Sequence, residues 1–174
     1  MEKIIINKYN LKEEEMTDIV KKVKILLINS NGEILLGYSH HDYQFPGGTH
    51  EEGEELIDTV NREIEEETGI KLGVKDLEPF ACSLGYYKDW PEPGRNKKIE
   101  IYYYEVLTDE LPKLENTKYT ENEKDGHFEL KFVSLCEIEK ELISNMEKYG
   151  DKKGITGEML VLLKLYKGKI KKGR

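Results

Sequence analysis

At 174 residues, with 37% apolar and 36% charged positions, the chain is sized for one domain with a real hydrophobic core. Its 27 Lys and Arg are outnumbered by 35 Asp and Glu, and the net charge of -8 disfavours loose attraction to nucleic acid or an anionic membrane. No run approaches the roughly 18 consecutive apolar residues of a membrane span, and Cys82 and Cys136 show neither CxxC spacing nor a disulfide framework.

The N-terminal MEKIIINKYNLKEEE has a short apolar patch followed by acids rather than a secretory signal, so a reducing, cytoplasmic location is expected. Residues 22–28, KVKILLI, and 33–39, EILLGYS, read as two strands joined at Asn29-Ser30-Asn31-Gly32. Asn-Gly tolerates positive φ, which makes this a hairpin signal. Pro46-Gly47-Gly48 breaks regular structure and opens a loop. Leu56, Ile57, Val60 and Ile64 recur at three- and four-residue steps, which predicts a helix from about Glu54 to Thr68, with Gly69 as its stop. LEPFACSLGYY and KKIEIYYYEVL then read as consecutive strands around the turn-rich KDWPEPGRN, and FELKFVSL as another short strand. CEIEKELISNMEKYG and ITGEMLVLLKLYKG carry helical spacing, and the basic tail from about residue 167 to 174 is expected to fray. Irregular alternation of strands and helices, with hairpins, predicts a mixed sheet in a single domain spanning residues 1–174.

The first helix is crowded with acids. On a wheel of about 100° per residue, Glu63, Glu66 and Glu67 cluster beside the apolar stripe, and Glu67 falls at its margin, while Glu65 points away. Arg62 falls near Glu55, Asp58 and Glu66. Carboxylates converging at the edge of a core repel one another and take up protons. A divalent cation removes both problems, and magnesium typically shares a few carboxylates with water and substrate phosphates. Taken alone, the run is also compatible with a solvated acidic face.

The flanking residues decide between these. Gly48, five residues, Glu54, seven residues, Arg62-Glu63-Ile64, one residue, Glu66-Glu67, one residue and Gly69-Ile70 resembles the Nudix box at every defined position. The preceding Phe45-Pro46-Gly47 resembles the usual approach to it. The resemblance implies an α+β fold, an α/β/α sandwich with a mixed central sheet and the box as loop, helix, loop. It implies that Glu63, Glu66 and Glu67 bind magnesium, or manganese in its place, and that the Gly48 carbonyl also meets the metal. Arg62 matches the arginine that holds acidic side chains in place, and Glu54 the earlier glutamate of the box. The implied activity is hydrolysis of a nucleoside diphosphate linked to another group, X, with water attacking phosphorus. The general base is left open among Glu66, Glu63 and an acid outside the box, for which Glu121, Glu123, Asp125 and Glu129 are candidates.

Substrate signals are weaker. Tyr86 and Tyr87 lie where a tyrosine resembles the diadenosine-polyphosphate branch, and Trp90, Tyr43 and Phe45 are further stacking candidates for a base. His40, His41, His50 and His127 form no metal-ligand spacing and read as surface or loop residues. Partners are expected to be a small nucleotide or other diphosphate, with no membrane and no specific nucleic acid; a homodimer is compatible. Two other classes share the fold: a ligand sensor without activity, and an isopentenyl-diphosphate isomerase, against which the complete box argues.

Overall fold

In the computed structural model, residues 1–151 and 154–172 are described. Seven strands form one mixed sheet: β1 (Glu2–Ile6), β2 (Asp18–Ile28), β3 (Glu33–Ser39), β4 (Asp42–Gln44), β5 (Ala81–Tyr87), β6 (Lys97–Leu107) and β7 (Glu129–Ser134). Their order is β1-β5-β6-β2-β3-β4, with β7 on the other side of β3. The helices are α1 (Leu56–Thr68), a short α2 (Glu121–Asp125), α3 (Ile138–Tyr149) and α4 (Ile155–Lys172).

Strand alternation explains the layers. In β2, Val23, Ile25 and Leu27 face one side and pack with Val60 and Ile64 of α1. Leu26 and Ile28 face the other side, with Ile138 and Leu142 of α3 and Leu162 and Leu163 of α4. The sheet is thus buried on both faces, the expected α/β/α sandwich. Burial on both faces also explains why residues 23–28 read as an apolar run.

β2 runs parallel to β6 along its whole length, from Asp18↔Lys97 to Ile28↔Leu107. Against β3 it pairs only at Ile28↔Ile34. The turn forms as expected, with Gly32 at φ 73, but the two strands then splay. The segment after β4 fills the gap: Ile25 N donates to Pro46 O at 2.8 Å, Val23 N to Gly48 O at 3.0 Å, and His50 N to Lys21 O at 3.0 Å. Gly47 sits at φ 128, and a Cβ there would lie 2.3 Å from the Val23 carbonyl oxygen. Only glycine allows this approach.

Several boundaries differ from the sequence reading. β1 pairs in parallel with β5, although EKIII carries no alternation to mark a strand. β4 follows a two-residue turn in which His40 and His41 have φ 51 and 68. That is type I′ geometry, but without the Asn-Gly that announces it. α1 begins at Leu56 rather than Glu54, because Glu55 is its N-cap and donates its backbone N–H to Asp58 Oδ2. The tail is helical to Lys172, not frayed, because Tyr166 is buried and Ile170 packs on the same core. Lys167 also pairs with Glu139 at 3.0 Å; residues 173 and 174 lie outside the described residues. Cys82 is buried, Cys136 is exposed, and neither is in a disulfide. Among the described residues no helix is long and apolar enough to cross a membrane.

Candidate active site

The splayed strands leave a cleft of about 710 Å³ between α1, the 44–51 segment, the short α2 with Glu123, β6 and the start of α4. α1 delivers its acids there by periodicity. Val60 and Ile64 anchor one stripe in the core, which turns Glu63, Glu66 and Glu67 toward the cleft wall.

Arg62 organises this wall. Its Nε donates to Glu54 Oε1 at 2.7 Å and its Nη2 to Glu54 Oε2 at 3.1 Å. Nη1 reaches Glu63 Oε1 at 2.8 Å and Glu66 Oε2 at 3.2 Å, and Nη2 also donates to the Thr49 carbonyl at 2.9 Å. The wheel put Arg62 beside Glu55 and Asp58; instead the loop folds back so that Glu54 is its main partner. Thr59 Oγ1 donates to Glu54 as well, at 2.8 Å, and meets His50 Nδ1 at 2.9 Å. The hydrogen bonds from Arg62 hold the Glu54 carboxyl down at about 2, and Glu54 in turn raises the Arg62 guanidinium. Glu65 points away, as expected, to Lys71 at 3.1 Å.

Glu63 and Glu67 are buried, 8% and 5% exposed. Burial raises both carboxyls. Glu67 Oε2 accepts the Gly47 N–H at 3.1 Å. Beneath it lies Lys24, whose Nζ donates to the carbonyls of Phe45 at 2.9 Å and Gly47 at 2.5 Å. Burial lowers Lys24, and the Glu67 charge works against that shift. Gly48 packs on Glu63 so closely that a Cβ would lie 2.5 Å from Glu63 Oε1.

Among the described residues no three acidic, histidine or cysteine side chains stand arranged as a ready metal-ligand group. Arg62 bridges Glu63 and Glu66, and Glu67 is turned onto Gly47. The donor set nevertheless fits a hard cation: three carboxylates face one cleft, and Gly48 leaves no side chain between Glu63 and the loop.

Of the other sequence candidates, Glu123 lines the cleft, whereas Glu121, Asp125 and Glu129 do not. Phe45 lines it but is only 2% exposed. Tyr43 is buried in the core and donates to Glu141 at 2.6 Å, so it offers no stacking face. Tyr86 donates to Glu13 at 2.7 Å, and Trp90 lies under Lys97 at 4.2 Å. Tyr86 and Tyr87 pair with Lys98 and Lys97, roughly 10–13 Å along β6 from cleft-lining Ile101. Tyr87 is folded back over Gly85 and does not line the cleft either. His40 lines the cleft, and His41 stacks on Tyr149.

The sequence reading missed Lys22, Lys24 and Glu158 in the lining. Alternation in KVKILLI puts both lysines on the face of Leu26, a signal that was legible. Nothing in the sequence marks Glu158.

The NUDIX domain family profile matches residues 19–152. The chain belongs to the Nudix family. With it comes the enzyme class: the protein is a hydrolase acting on pyrophosphate bonds. Solved structures agree on the fold. The Ap4A hydrolase of C. elegans is 16% identical with TM-score 0.52, covering 87% of this chain and 98% of that one. MutT of Bacillus halodurans is 21% identical with TM-score 0.50, covering 70% and 72%. The bifunctional NMN adenylyltransferase/ADP ribose pyrophosphatase of Francisella tularensis is 22% identical with TM-score 0.51, covering 83% of this chain and 40% of that one. At these identities the likeness concerns the Nudix fold alone. A search of curated proteins finds no match.

Proposed function

We propose that this Nudix hydrolase cleaves a pyrophosphate bond in a nucleoside diphosphate linked to another group, with metal-dependent attack of water on phosphorus. One observation carries the reading: Glu63, Glu66 and Glu67 face a single cleft, with Arg62 spanning two of them and Gly48 opening the space beside Glu63.

Glu63, Glu66, Glu67 and the Gly48 carbonyl would hold magnesium or manganese. When bound, such an ion neutralises phosphate oxygens and lowers the pKa of water. The Gly48 oxygen already accepts Val23 N–H, which fixes its direction. Arg62, itself anchored on Glu54 and Thr49, orients Glu63 and Glu66. Lys24 sets the 45–47 segment and offsets the Glu67 charge.

The proton acceptor must reach water in the cleft. Glu66 is the more exposed of the two box candidates, with 33% of its side chain open against 11% for Glu63. Glu123 is the one outside acid of the four candidates that lines the cleft. The reading therefore narrows the base to Glu66 or Glu123.

The test is turnover of nucleoside diphosphate derivatives in oxygen-18 water with magnesium or manganese. Label in a phosphate of the products, abolished by chelator, is expected. Label only on the carbon of the leaving group, or full activity in excess chelator, would overturn the mechanism. Binding without turnover of any substrate would favour a sensor.

A further inference from the structure

A guanidinium has five N–H donors, and Arg62 uses every one. Nη1 gives its two to Glu63 and Glu66. Nε and one Nη2 proton go to Glu54, and the other Nη2 proton goes to the Thr49 carbonyl. The direction of Nη1 is therefore set by how firmly Glu54 and Thr49 are held. Glu54 Oε2 accepts Arg62 Nη2 at 3.1 Å, the Glu51 N–H at 3.3 Å and the Thr59 hydroxyl at 2.8 Å, the shortest of the three. Thr59 has no exposed surface and lies one helical turn before Arg62 and Glu63, on their side of α1. Glu54 is kept ionised by Arg62 and has no proton to give. The Thr59 proton must lie between the two oxygens, which leaves Thr59 Oγ1 as the acceptor for His50 Nδ1 at 2.9 Å. His50 is itself fixed to β2, its backbone N–H donating to the Lys21 carbonyl at 3.0 Å. Because His50 follows Thr49 in the chain, the path through His50, Thr59, Glu54, Arg62 and Thr49 closes into a ring.

We propose that His50 and Thr59 are positioning residues: His50, as its Nδ1–H tautomer, and Thr59 hold Glu54 so that Arg62 keeps Nη1 on Glu63 and Glu66. For its effect on turnover the inference rests on the hydrolase reading; for the placing of Arg62 it does not. The hydrogen bonds run one way, from His50 to Thr59 to Glu54, so each donor fixes the next group. Without the Thr59 hydroxyl, Glu54 keeps its two bonds from Arg62 and the one from Glu51. The ion pair survives, but carboxylate and guanidinium are free to turn together, and Nη1 loses its aim. Neither His50 nor Thr59 lines the cleft, so neither contacts a substrate held there. Their removal therefore acts on the chemical step rather than on binding.

The test compares Thr59→Val and His50→Phe, which remove the hydroxyl and the ring donor, with Thr59→Ser and His50→Asn, which keep a donor at each place. Melting temperatures confirm that each variant is folded. Nitrogen-15 NMR of the full chain at alkaline pH, where imidazole is neutral, reads the His50 tautomer and the Arg62 Nε–H signal. The wild type is expected to show Nδ1–H, and Thr59→Val to alter the His50 pattern and shift the Arg62 signal. Kinetics with magnesium use ADP-ribose, UDP-glucose, ATP and diadenosine tetraphosphate. Outer partners of a metal site typically cost 10- to 100-fold when removed, so kcat should fall about 10-fold in Thr59→Val and His50→Phe. KM should stay within about twofold, the mark of a loss confined to the chemical step, and Thr59→Ser and His50→Asn should recover most of kcat. An Nε2–H tautomer in the wild type, or an Arg62 signal unmoved by Thr59→Val, would overturn the proposal. So would an unchanged kcat in folded Thr59→Val where the wild type turns over substrate. If the Arg62 signal follows Thr59 while the wild type hydrolyses none of the nucleotides, the positioning stands and the hydrolase reading falls.

Discussion

Arg62 and Glu54 form a two-point pair, Nε to Oε1 at 2.7 Å and Nη2 to Oε2 at 3.1 Å, across the loop that opens α1. The same guanidinium reaches Glu63 and Glu66, so the pair couples the loop to the acidic wall of the cleft. Such forked contacts are directional as well as strong.

This pair sets an acid limit on stability. Arg62 lowers the Glu54 carboxyl from its ordinary 4.5 to about 2. A depressed folded pKa stabilises fully above the unfolded value, and the contribution is lost as pH falls through the folded one. Stability should therefore decline between about pH 4.5 and 2. Glu54→Gln should lose about 1–3 kcal/mol at pH 7 and show a shallower acid decline. Urea melts across pH measure both, and an unchanged acid limb would remove Glu54 from the account.

Glu67 has the opposite sign. Burial raises its folded pKa, so without metal the folded state loses stability as pH rises from the unfolded carboxylate range toward the raised value. Glu67→Gln keeps the size and an acceptor for Gly47 N–H. It should leave metal-free stability unchanged or higher, while activity falls by orders of magnitude. Magnesium should raise the melting temperature of the wild type, and less that of the variant. Equal magnesium shifts in the two proteins would contradict the assignment of Glu67 to the metal.

Lys24 is predicted to matter through Glu67 and the loop. Lys24→Met leaves the Phe45 and Gly47 carbonyls without this donor and should cost about 1–3 kcal/mol. In a double-mutant cycle with Glu67→Gln, a coupling of about 0.5–3 kcal/mol is expected for residues in one network. Additive effects would mean the two charges are independent.

Trp90 should be dispensable for substrate binding. It lies in the loop between β5 and β6 under Lys97, outside the cleft lining. A stacked base is worth about 1–3 kcal/mol, so Trp90→Ala should leave KM within about twofold of wild type, whereas a stacking role would raise it roughly 10- to 100-fold. A rise of that size would return the aromatic loop to the site.

The sequence by itself determined the box, the helix that carries it and the mixed sheet. Those rest on local quantities: fixed offsets from Gly48 to Ile70, an apolar repeat at Leu56, Ile57, Val60 and Ile64, and strand alternation that survives in any context. Gly47 shows the limit. Its sequence signal was only a turn, and its tight approach to the Val23 carbonyl follows from the splaying of β2 and β3. Tertiary structure alone decided which acid outside the box faces the cleft, that Arg62 turns to Glu54 rather than Glu55 or Asp58, and that Tyr43 spends its hydroxyl on Glu141. It also brought Glu158 to Ser83 and Tyr103 across 75 and 55 residues of chain. Pairings between distant segments depend on how the layers pack, and a local pattern carries no record of that.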